Sequence, residues 1–121
     1  MHKIVAAVNS MIANPNLIST VIKSVDGNEL FFTYEDRFKW SVTKSDEGHY
    51  YLYYYPGNVS IQDLATIPEH KWTSSGDFIT YSSKEIKTKE AYESFAELYQ
   101  IVQGKLYGID DVLDYIIKTA A

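Results

Sequence analysis

DGNELFFTYEDRFKWSVTKSDEGHYYLYYY, residues 26–55, decides the fold. Three turn signals punctuate it. Asp26-Gly27 is a two-residue hairpin signal, because both residues tolerate the positive φ of a type I′ turn. Glu35-Asp36-Arg37 reads as a three-residue loop that sets Tyr34 opposite Phe38, Phe32 opposite Trp40 and Leu30 opposite Val42. Asp46-Glu47-Gly48 reads as a second three-residue loop, with glycine supplying the left-handed last position. It sets Val42 opposite Leu52 and Trp40 opposite Tyr54. Residues 17–55 are therefore expected to form four antiparallel strands joined by tight turns.

A slip of one residue would turn a whole strand over, so agreement among three turns defines the two faces of the sheet. One face carries Val21, Val25, Leu30, Phe32, Tyr34, Phe38, Trp40, Val42, Leu52 and Tyr54, and reads as the core side. The other carries Ile18, Ile22, Phe31, Thr33, Lys39, Ser41, Thr43, His49, Tyr51, Tyr53 and Tyr55. It is neither cleanly polar nor cleanly apolar. Five of the chain's eleven tyrosines fall between His49 and Tyr55, and this register divides them between the faces, with Tyr50 near the core margin.

Working outward, Ile4, Val5, Val8, Met11 and Ile12 recur at helical spacing and Asn14-Pro15 stops them, which predicts an amphipathic helix over 3–13. Ser60-Ile61-Gln62-Asp63 resembles a capping box and opens a short helix that ends before Pro68. Residues 69–77, which include Trp72, read as an irregular connection. Residues 77–81 read as a short edge strand. From Thr88, a stripe of Ala91, Tyr92, Phe95, Leu98, Tyr99 and Val102 predicts a helix stopped at Gly104. A last helix follows, with Ile109, Val112, Leu113, Ile116 and Ile117 as its stripe and Asp110 and Asp111 in its first turn. The expectation is a single α+β domain spanning 1–121. It consists of an antiparallel meander of four to five strands, with an N-terminal helix and two C-terminal helices packed mainly on one face.

Composition narrows the chemistry. The chain of 121 residues contains no cysteine, so disulfides, thiolate metal sites and cysteine nucleophiles are excluded. Its 16 acidic and 11 basic residues give a net charge of −5, which disfavours nucleic acid because phosphate binding needs a concentrated basic face. No membrane span or signal sequence is read, and a soluble, cytoplasmic protein is the default. His2, His49 and His70 are not spaced as metal ligands on one element, so no metal and no cofactor are expected. The carboxylates at helix starts and turns are explained locally, and no catalytic residue is assigned.

What remains is the outer aromatic face. Tyrosine offers a rigid ring with a polar end, a common choice for contact surfaces. His49, Tyr51, Tyr53, Tyr55, Phe31 and Ile22 are therefore the candidate binding residues. The expected function is that of a small non-enzymatic binding protein meeting a protein partner or its own copy. Two alternatives stand beside it. One is burial of this face by later segments of the same chain, such as the Trp72 connection. The other is a pocket for a small apolar or aromatic ligand between sheet and helices, with Tyr34, Tyr92 and Tyr99 supplying hydroxyls to a binding or enzymatic site.

Overall fold

The computed structural model describes residues 2–67 and 78–120; Trp72, His70 and the connection around them lie outside the described residues. Helix α1 (Lys3–Ala13) leads through a 3-10 turn (Pro15–Leu17) into strands β1 (Ile18–Lys23), β2 (Leu30–Tyr34), β3 (Phe38–Lys44) and β4 (Tyr50–Tyr55). Then come α2 (Ile61–Thr66), β5 (Ile79–Ser82), α3 (Ser83–Ile86), α4 (Lys89–Tyr107) and α5 (Ile109–Ala120). The five strands form one antiparallel meander in sequence order, which puts β1 and β5 at the edges.

The turns set the register as the sequence implies. Phe32 faces Trp40, Leu30 faces Val42, Val42 faces Leu52 and Trp40 faces Tyr54. Gly48 takes a φ of 86° to close the β3–β4 hairpin, its N–H donating to Ser45 O at 2.9 Å. In the β2–β3 turn the left-handed positions fall on Glu35 and Asp36, at φ 55° and 57°. Asp36 is held there by the Ser19 hydroxyl, which donates to its Oδ1 at 2.7 Å.

The core lies on the Phe32 face. Val5 and Val8 of α1, Phe95, Leu98 and Val102 of α4, and Leu30, Phe32, Val42 and Leu52 of the sheet meet in one buried cluster. Each such side chain contributes roughly 1.5–3 kcal/mol of burial before entropy is subtracted. Tyr50 belongs to this cluster, packed at ring-centroid distances of 5.4 Å from Tyr92 and 5.6 Å from Tyr99.

Four local expectations are corrected. Ile18 points into the core instead of the outer face, because the β1–β2 register shifts between Ser19 and Ile22. Thr20 sits in that bulge with φ 52°, and the extra residue turns over everything before it. Val25 is 65% exposed, since it lies at the centre of the turn that Gly27 N closes onto Ser24 O, with Gly27 at φ 77° just after it. Gly104 does not stop its helix: α4 runs on to Tyr107, and Gly108 at φ 62° is the left-handed cap. A Cβ at Gly104 would stand 3.1 Å from Ile109 Cγ2, so this glycine admits the close approach of α5. Finally, no described residue of α5 is buried; the helix packs against the end of α4 and its stripe stays about half-exposed.

Candidate functional site

The outer sheet face is partly roofed by α2. Ser60 caps this helix, its Oγ accepting from Asp63 N at 3.1 Å. The loop before it is tied to the sheet by Lys39, whose ammonium donates to the carbonyls of Gly57 and Val59. At the other end, Val25 N donates to Ala65 O at 2.9 Å. So anchored, α2 lays Ile61, Leu64 and Ala65 over Phe31 and Tyr55, with Ile22, Tyr53 and Phe78 packed around them. Phe31 and Tyr55 stack at 5.7 Å, and Tyr53 meets Phe78 edge-on at the same separation.

Of the six candidate residues, the structure therefore gathers four. Phe31 and Tyr55 are buried within the chain and present no surface; Ile22 and Tyr53 are half-buried at their margin. Tyr51 lies opposite Ser82 of β5, and His49 at the β3–β4 hairpin mouth, where its N–H donates to Ser45 Oγ at 3.1 Å. Both are half-buried and stand outside the cluster.

Beneath α2 is a polar clasp that the sequence did not disclose. The Ser41 hydroxyl donates to Glu29 Oε2, the Tyr55 hydroxyl reaches the same oxygen at 3.1 Å, and Ser41 and Tyr55 lie 2.8 Å apart. Burial, and then the Glu29 carboxylate, push the Tyr55 hydroxyl far above its ordinary range. Tyr55 therefore stays a neutral donor, and Ser41, fully buried, has its proton engaged by the carboxylate. The arrangement joins β3, β4 and the residue just before β2 through side chains, and its groups are occupied with one another.

Among the described residues, hollows flank the fold on two sides. An open groove of about 940 Å³ runs between the 3-10 turn, β1, α4 and the start of α5, with Ile18, Val21, Ile101 and Ile109 among its lining residues and Glu97, Lys105, Asp110 and Asp111 beside them. A smaller, mostly polar one of about 540 Å³ lies between the β2–β3 turn and the entrance to α2. Tyr34, Tyr92 and Tyr99 line neither; Tyr92 and Tyr99 are engaged with Tyr50 instead.

Among the described residues, a row of exposed aliphatic side chains lies elsewhere, on α5. Ile109, Val112, Leu113, Ile116 and Ile117 are each between 43% and 70% exposed. Their spacing puts them on one face of the helix, and Asp110, Asp111, Asp114 and Lys118 occupy the remainder. A helix of twelve residues is marginal in water without a packing partner. Only Gly108 separates α5 from α4, too short a link to fold α5 back along α4, since antiparallel helix pairs use loops of about 2–5 residues. The sequence shows this stripe plainly, but it reads there as core.

Among the described residues no helix is long and apolar enough to cross a membrane, and no group of three or more histidine or carboxylate side chains converges as metal ligands would. Searches against protein-family models, curated proteins and solved structures find no match to the chain.

Proposed function

We propose that this chain is a non-enzymatic interaction protein whose contact surface is the apolar face of α5. The observation that carries the reading is that stripe of five half-exposed aliphatic side chains on a helix with no buried residue. Single exposed hydrophobes are ordinary; a contiguous row on one short helix marks an association surface. The outer sheet face contributes less than its aromatic count suggests, because α2 takes Phe31 and Tyr55 for the chain's own packing. His49, Tyr51 and Tyr53 remain as a smaller, separate contact region.

Site-specific photo-crosslinking tests this. A photoreactive residue at position 116, in the cell that makes the protein, should give a discrete protein adduct, and one at the exposed α4 position 93 should not. Equal, diffuse labelling from both positions would remove the reading. A small-molecule site is the second reading, favoured by the 940 Å³ groove with its mixed apolar and charged lining. It predicts a reproducible rise in Tm with one class of apolar or aromatic metabolite, lost in Val21→Arg.

A further inference from the structure

We infer that the occupant of the α5 face is α5 of a second copy, packed antiparallel about a two-fold axis; this rests on the α5 reading above. Three observations select that occupant. The first is the spacing. Ile109, Val112, Leu113, Ile116, Ile117 and Ala120 lie at intervals of 3, 1, 3, 1 and 3 residues, a pattern that is the same read in either direction. Reversal therefore sets Ile109 against Ala120, Val112 against Ile117 and Leu113 against Ile116, which is the self-complementarity that a two-fold interface requires.

The second is charge. Asp110, Asp111 and Asp114 occupy the first half of α5 and Lys118 the second. A parallel pair would align three carboxylates with three carboxylates. An antiparallel pair sets each acidic half beside the partner's half that carries Lys118, and opposes the two helix dipoles favourably. The same distribution argues against a lipid surface, where interfacial helices carry Lys and Arg on the polar face.

The third is area. At the observed exposures the five aliphatic side chains offer on the order of 500 Å² per copy. Two copies then bury on the order of 1,000 Å², the size of a weak, transient interface. An interface of that size predicts a reversible monomer–dimer equilibrium.

Sedimentation equilibrium across about 1 μM to 1 mM decides the stoichiometry, and cysteine pairing the orientation. The expected result is a mass that rises from 13.9 kDa towards twice that value, and an Ile116→Asp variant that stays monomeric with the circular dichroism spectrum and Tm of the dilute parent. Because the chain has no cysteine of its own, Ile109→Cys and Ala120→Cys report directly. Mixed, they should form the heterodisulfide; Ile109→Cys alone should resist self-linking, since its two thiols would lie about 16 Å apart along the pair. Efficient Ile109→Cys self-linking, or dimers that persist in Ile116→Asp, would overturn the antiparallel α5 pair. A strictly monomeric chain whose position 116 still crosslinks a different protein would sink the second-copy inference and leave the α5 reading standing. A monomer with no adduct would remove both.

Discussion

Replacing Tyr55 with Phe isolates the clasp under α2. The ring, 5% exposed, keeps its packing on Phe31, Ile61 and Leu64, so the change removes one hydroxyl and almost no apolar area. What is lost is a 3.1 Å bond to a carboxylate and a 2.8 Å bond shared with Ser41, while Ser41 retains Glu29. A hydrogen bond to a charged group is worth about 1.5–3 kcal/mol net. For a chain of this length that corresponds to a fall in Tm of roughly 5–12 °C. The pH dependence supplies a second, sharper signature. The folded state raises the proton affinity of the Tyr55 hydroxyl, by burial first and the Glu29 charge second. Its contribution is therefore complete below the unfolded-state pKa of about 10 and is lost as pH rises beyond it, at about 1.4 kcal/mol per pH unit. Urea denaturation of both proteins between pH 7 and 11 should show a gap of 1.5–3 kcal/mol at pH 7, of the order just given, that narrows above pH 10. A variant as stable as the parent at pH 7, or a gap that does not narrow, would refute the argument.

Four other substitutions follow from the same structure. Thr20→Gly relieves a β-branched residue at φ 52° and should raise stability by about 0.5–1 kcal/mol in urea melts. Ser60→Ala removes the cap of α2 and should cost about 1 kcal/mol, with faster amide exchange confined to residues 61–66. Ile116→Asp should change the monomer's stability by less than about 0.5 kcal/mol because it uncovers nothing. By contrast, Phe95→Ala in the core should cost about 3–5 kcal/mol.

The sheet was legible because its information is local. Each hairpin fixes its register through a few turn residues, and those choices propagate along the strand without help from distant contacts, as the Phe32–Trp40 and Val42–Leu52 pairs show. Ile18 was misplaced for the complementary reason: a single left-handed threonine, with no glycine to announce it, reverses the faces upstream. The site was less legible. An apolar row on α2 and one on α5 look alike in sequence, and only packing tells which of them finds a partner within the chain. Simple dimensions point to the answer. Five strands at about 4.8 Å span roughly 24 Å, which two helices of about 10 Å diameter nearly cover. With α1 and α4 in place on the Phe32 face, a third amphipathic helix is left without room. The Ser41–Tyr55–Glu29 clasp was invisible for another reason, since Glu29 lies just before β2 and meets its partners only across the sheet.

Hydrogen exchange of α5 tests the central claim most directly. With the chain dilute enough to be free of partners, the amides of residues 109–120 should exchange far faster than those of α4 and β2–β4, because none of the described α5 residues is buried within the chain. Raising the concentration, or adding the crosslinked partner, should slow α5 selectively. Amides of α5 that are as protected in the dilute chain as those of α4 would mean that the stripe is already buried, and would contradict the account.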